Sequence, residues 1–152
     1  GGKSGMLCCD EAKKRAGVTG KVIGICHSEK STKRMEELGF CDVVFSADAT
    51  QPVPVMKKIE ELTNGQMADI CINNVNIPDT EMTSILVTKN TGIVYFFSMA
   101  TSFTKAALGA EGVGSDVTMI VGNGYTKGHA EITLQELREC EKLRKIFTEL
   151  YA

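Results

Sequence analysis

The chain has no tryptophan, two histidines and three prolines in 152 residues. Those scarcities narrow its chemistry. His27 and His129 stand far apart, and none of Cys8, Cys9, Cys26, Cys41, Cys71 and Cys140 forms a C-x-x-C pair. A metal site needs three or four converging ligands, so no spacing here points to one, and reduced, metal-free thiols are expected. Cysteines scattered through apolar stretches without a disulfide framework fit a reducing cytoplasm. No apolar run reaches the roughly 18 residues of a membrane-span candidate, and no leader pattern is seen in these residues. The formal net charge is −2, which leaves no basic field to draw nucleic acid. Lys30, Lys33 and Arg34 sit among Glu29, Glu36 and Glu37, as on a solvated helix face. Neither nucleic acid nor membrane is an expected partner.

What is present reads as a globular α/β domain. Apolar residues make up 43% and charged residues 24%, near the globular average. Met6 to Arg15 is a helix stopped by Gly17. "GKVIGIC" and "CDVVFSAD" are strands, with the helix "SEKSTKRMEELGF" between them. "PVPVMKKIEELTNGQ" is a helix opened by proline. The strand "ADICINN", the helix "DTEMTSILVTKNTG" and the strand "GIVYFFSMA" follow, then a short helix "TSFTKAALGAEG" and the strand "DVTMIVGNG". The last twenty residues, "TLQELRECEKLRKIFTELYA", read as one long helix with Leu134, Leu137, Leu143, Ile146, Phe147 and Leu150 as its apolar residues. Strands that are continuous apolar runs alternating with helices indicate a doubly wound, mainly parallel sheet of Rossmann type. The expected strand order is 3-2-1-4-5-6. Its first strand should lie upstream of Gly1, because a glycine-rich phosphate loop follows a strand. Residues 1–152 are thus expected to be one dinucleotide-binding domain of a larger enzyme whose substrate domain lies upstream.

The opening "GGKSG" admits two readings. Gly2-Lys3-Ser4 resembles the end of a triphosphate-gripping loop, which needs a later acidic residue for Mg²⁺; Asp48 is the one fair candidate. Gly2 and Gly5 resemble the end of a dinucleotide fingerprint. There Gly2 lets the backbone approach the pyrophosphate, Gly5 lets the helix pack on the sheet, and the anion sits over the helix N-terminus. The dinucleotide reading explains more of the chain. The second strand ends at Cys26-His27-Ser28, about 20 residues past the loop, where the adenosine ribose belongs. No carboxylate occupies His27 or Ser28, so the local residues leave NAD and NADP both open, and Lys30 or Arg34 is placed to meet a 2′-phosphate. Asn73, Asn74, Ser98 and Met99 fall at the carboxyl ends of later strands, the ligand edge of open α/β sheets. Ser98 also reads as a helix cap, and Asn73-Asn74 as loop-forming asparagines.

The stretches "GGKSGMLC", "LGFCDVVFSADAT", "ADICINNVNIPDTE", "GIVYFFSMATSFTKAALGAEG" and "IVGNGYTKGHAE", in that order, resemble the L-erythro-3,5-diaminohexanoate dehydrogenases of lysine fermentation, a medium-chain-dehydrogenase-like family. The resemblance covers essentially the whole chain and implies its cofactor-binding part. It implies oxidation of a substrate amine with NAD⁺, release of ammonia, and 5-amino-3-oxohexanoate as product, with NAD preferred and NADP accepted more weakly. A small amino acid is then the partner, and a homo-oligomer is left open. No general base is apparent in these residues. Ser98, Asn123 and Tyr125 lie at strand ends facing the expected nicotinamide, but no catalytic role attaches to them. A triphosphate-binding domain and a non-catalytic nucleotide-sensing module are the alternatives.

Overall fold

A computed structural model of the chain describes residues 1–122 and 125–152. The first elements are α1 (Lys3–Ala16), β1 (Ile23–Cys26), α2 (Glu29–Leu38), β2 (Val43–Ser46), α3 (Pro52–Leu62) and β3 (Ala68–Asn73). They are followed by α4 (Glu81–Leu86), β4 (Thr88–Phe96), α5 (Phe103–Gly112), β5 (Thr118–Val121), α6 (His129–Glu139) and α7 (Glu141–Tyr151). Two compact units result, Gly1–Ala47 with Tyr125–Ala152, and Asp48–Gly124. β1 pairs with β2 in the first unit, and β3, β4 and β5 pair in that order in the second, all in parallel. These are the neighbours required by the order 3-2-1-4-5-6 when its first strand is left out. The chain is an α/β protein with parallel sheets.

The first unit closes over Met6 of α1, Cys26 of β1, Met35 and Leu38 of α2, Phe40, and Leu143 of α7. α2 begins at a reciprocal cap: the Ser31 N–H donates to Ser28 Oγ and the Ser28 N–H to Ser31 Oγ, each at 3.3 Å. It ends at Gly39, whose φ of 73° places it in the left-handed region where glycine has no steric penalty.

The expected long C-terminal helix is two helices. Cys140 between them is extended (φ −109°, ψ 102°), and Arg144 Nη1 donates to the carbonyls of Leu137 and Arg138 at 3.1 and 3.2 Å. The arginine thereby satisfies carbonyls that the end of a helix leaves without partners. Packing explains the break. Leu137 and Leu143 would lie about 120° apart around one continuous helix, whereas the turn at Cys140 lets both meet the same core. Leu134 and Leu150, expected on the apolar face, are 50% and 43% exposed.

α1 also packs on α6 through two buried carboxyl groups, Asp10 at 5% exposure and Glu136 at 4%. Lys14 Nζ lies 3.1 Å from Asp10 Oδ2 and 3.1 Å from Glu139 Oε2. Glu136 Oε2 has no hydrogen-bond partner among the described residues.

In the second unit, Ile85, Val94, Phe96, Ala106 and Ala110 form the core, joining α4 and α5 to one face of the sheet. The helix expected over 79–92 stops at Leu86, and β4 starts at Thr88, ahead of the expected Gly92. Thr88 pairs with Ala68, so strand pairing takes Thr88 and the residues after it out of the expected helix. A register shift between Ala68 and Ile70 absorbs the turn at Thr91, where φ is 65°. The expected strand "DVTMIVGNG" is ordered as Thr118–Val121; Asn123 and Gly124 lie outside the described residues. On the sheet face opposite the core, Ile70, Ile72 and Ile120 are 59%, 42% and 43% exposed.

Candidate dinucleotide-binding loop

The first unit holds the stretch expected to be the phosphate loop. α1 starts directly after Gly2, which is extended (φ −88°, ψ −179°) and offers no side chain to cap the helix. The first helical bond runs from the Met6 N–H to the Gly2 carbonyl at 3.0 Å. The amides of Lys3, Ser4 and Gly5 therefore precede any intrahelical acceptor, and they gather at the positive end of the helix dipole. No acidic residue sits in the first turn to compete for them. A methyl group built on Gly2 or Gly5 would meet nothing within 4 Å, so the space over the loop is open. The close packing expected at Gly5 is accordingly not seen among the described residues. Lys3 Nζ lies 4.3 Å over the ring of Tyr151, which holds the lysine stem toward α7.

The expected adenosine side belongs to the same unit. His27 is exposed, and its carbonyl accepts from Ser46 Oγ at 3.2 Å. Ser28 is the cap of α2, so its hydroxyl is engaged before any ribose or phosphate arrives. α2 meets the loop at Arg34 and Ser31. Arg34 Nη1 donates to the Gly1 carbonyl at 3.2 Å, and a Cβ on Gly1 would stand 2.5 Å from Ser31 Cβ. The sequence reading placed Arg34 on a solvated face or against a 2′-phosphate; the structure directs it to the loop backbone. The spacing 31/34 on one helix face was the signal that could have found this contact.

Asn73, Asn74, Ser98 and Met99 lie in the second unit, after β3 and β4. Asn73 is 6% exposed. Its Nδ2 donates to Thr80 Oγ1 and Ser84 Oγ, each at 2.9 Å, and its Oδ1 accepts from the Val75 N–H at 2.9 Å. Asn73 thus braces the β3–α4 turn, with Thr80 and Ser84 as supports that sequence reasoning missed. Asn74 is half-buried beside it. Ser98 Oγ accepts from the Ala100 N–H at 3.1 Å and reaches Asn76 Oδ1 at 3.5 Å; the cap of α5 is Ser102, not Ser98. Met99 is 95% exposed and Tyr125 72%. Asp48 Oδ1 accepts from the Thr50 N–H and Oγ1 at 2.9 and 2.7 Å, forming a turn. Among the described residues no three His, Cys, Asp or Glu side chains converge as a metal site, and no helix is long and apolar enough to cross a membrane.

The family model described as "Zinc-binding dehydrogenase" matches residues 5–123. Over 150 residues the chain is 61% identical to L-erythro-3,5-diaminohexanoate dehydrogenase of Acetoanaerobium sticklandii, and 55% identical to that of Fusobacterium nucleatum subsp. nucleatum. Both matches cover 99% of this chain, which spans 44% of the length of either relative. Among solved structures it is similar to a mycobacterial quinone oxidoreductase, at 19% identity and TM-score 0.63, covering 97% of this chain and 43% of that one. It is similar also to a mycobacterial protein complexed with NADPH, at 18% identity and TM-score 0.60, covering 98% of this chain and 44% of that one.

Proposed function

Because the chain belongs to the zinc-binding dehydrogenase family, we propose that it is the dinucleotide-binding part of an amine-oxidising dehydrogenase acting on L-erythro-3,5-diaminohexanoate. The observation that carries this reading is the group of uncapped amides at Lys3, Ser4 and Gly5, opened to a ligand by Gly2. The identity to two diaminohexanoate dehydrogenases supports the substrate. On this reading a substrate domain lies upstream of Gly1 and supplies the other side of the cleft.

When bound, a nicotinamide dinucleotide supplies the hydride acceptor. The loop amides would hold its pyrophosphate, and the β1–α2 turn at His27 and Ser28 its adenosine. The sequence reading assigns Asn74, Ser98 and Met99 to the nicotinamide arm, and Asn73 braces the β3–α4 turn that carries Asn74. The substrate's 3-amino group must be neutral before oxidation, since an ammonium has no lone pair with which to form the imine. Loss of hydride from C3 and a proton from nitrogen leaves that imine, and water then releases ammonia and 5-amino-3-oxohexanoate. Fluorescence titration of the complete enzyme with NADH tests the reading. Saturable binding and reduction of NAD⁺ by 3,5-diaminohexanoate are expected. Binding of Mg·ATP without NADH would overturn it in favour of a triphosphate site.

NAD⁺ is the preferred dinucleotide on this reading. Ser28→Asp keeps α2 capped, because aspartate caps as well as serine, and it sets a carboxylate where a 2′-phosphate would lie. NADP⁺ affinity should fall about tenfold, the scale of one lost charge-assisted contact, while NAD⁺ affinity holds. Equal Kd changes for both dinucleotides would remove Ser28 from the adenosine site.

A further inference from the structure

We propose that Arg34 is a positioning residue for the pyrophosphate loop, aiming the Gly2 N–H by holding the Gly1 carbonyl; this rests on the dinucleotide reading above. Arg34 lies on α2, far from the loop in sequence, and its Nη1 donates to the Gly1 carbonyl at 3.2 Å in a partly buried contact. Gly1 and Gly2 share one trans peptide plane, in which C=O and N–H point in opposite directions. A carbonyl fixed toward α2 therefore fixes the Gly2 N–H on the side away from α2. It also keeps the carbonyl's partial negative charge away from an arriving anion. The contact is close on both flanks. A Cβ at Gly1 would stand 2.5 Å from Ser31 Cβ and 3.2 Å from the Ser31 carbonyl oxygen, so only glycine lets the loop lie this near α2. The helix that carries Arg34 is itself anchored, by its Ser28–Ser31 cap and by Met35 and Leu38 in the core. Arg34 thus transmits a fixed position from the core to the loop.

This role is separable from direct contact with a 2′-phosphate. A side chain that aims the loop acts on every ligand with a pyrophosphate, whether or not the 2′-phosphate is present, and not on adenosine. In the complete enzyme, Arg34→Met should weaken NAD⁺, NADP⁺ and ADP-ribose by the same factor, about tenfold for one charge-assisted hydrogen bond. Adenosine binding should be unchanged. Arg34→Lys, which retains a cationic donor, should recover most of the loss, and circular dichroism should show both variants folded. Isothermal titration with these four ligands reads each outcome. A loss confined to NADP⁺ would make Arg34 a phosphate ligand and overturn the proposal. Unchanged affinities, or an equal loss of adenosine, would also overturn it. Failure of the unmutated enzyme to bind any dinucleotide would overturn both this inference and the function it rests on.

Discussion

Gly2→Val in the complete enzyme is expected to weaken dinucleotide binding on the order of a hundredfold or more, as the loss of several hydrogen bonds to a charged group implies, and to lower thermal stability only by the small cost of a poorer helix cap, about 1 kcal/mol or less. The two effects separate because neither backbone strain nor a close contact requires glycine there. Its φ of −88° and ψ of −179° are extended values open to any L-residue, and an added Cβ would meet no protein atom within 4 Å. On the proposed function, the larger demand for glycine comes from the ligand. A branched side chain at the helix cap fills the space over the Lys3, Ser4 and Gly5 amides and holds a pyrophosphate beyond hydrogen-bond reach. Calorimetric Kd values for NAD⁺, set beside the Tm of both proteins, check the outcome. Retained affinity would remove the loop assignment, and a Tm lowered by more than the loss of a helix cap accounts for would show that Gly2 serves the fold instead.

Raising the pH from about 5 to about 8 should destabilise the first unit, and Glu136→Gln should abolish most of that dependence. Burial, reinforced by the Asp10 and Glu11 carboxylates facing it from α1 and by Glu139 on its own helix, pushes the Glu136 carboxyl from an ordinary 4.5 to about 7. Lys14 opposes the shift without cancelling it. The folded protein thus holds this proton more tightly than the unfolded chain. The resulting stabilisation is fully present below about 4.5 and lost as the pH rises through about 7. Its size is at most roughly 3 kcal/mol across that window and is reduced by solvent screening, against the roughly 5–15 kcal/mol by which domains are stable. Asp42 and Glu139 contribute in the opposite sense. Lys13 holds the first below its ordinary value, and Gln135 and then Lys14 the second. Their effects therefore fall at lower pH, outside this window. Thermal unfolding of the intact protein and of Glu136→Gln across the range reads the result. A falling Tm for the unmutated protein and a flat one for the variant are expected; parallel curves would refute the assignment.

Local signals in the sequence were enough for most elements, because each carries its own cause. Ser28 caps α2 and Gly39 ends it, Pro52 opens α3, and Ile23–Cys26 and Val43–Ser46 are short runs rich in β-branched residues. The parallel pairing followed from the alternation of strands with helices. The helix start at Lys3 was legible for the same reason, since the glycine before it leaves the first amides without a side-chain cap.

Tertiary packing decided the rest. The last twenty residues carry strong helix formers throughout, and nothing local stops the helix at Cys140. It breaks because Leu137 and Leu143 must reach one core, and Arg144 then satisfies the carbonyls the break exposes. Thr88 leaves the helix for the sheet because Ala68 offers a pairing partner. Arg34 beside Glu36 and Glu37 reads as a solvated cation until folding brings the Gly1 carbonyl to it. Glu136 was one charge on a helix until Asp10 met it across α1, and only that burial gives it a proton to hold near neutral pH. Caps, turns and glycine loops act over a few residues and are therefore written in the sequence. Phase breaks, strand capture and carboxyl pairing join residues distant along the chain, and their energies exist only once the core has formed.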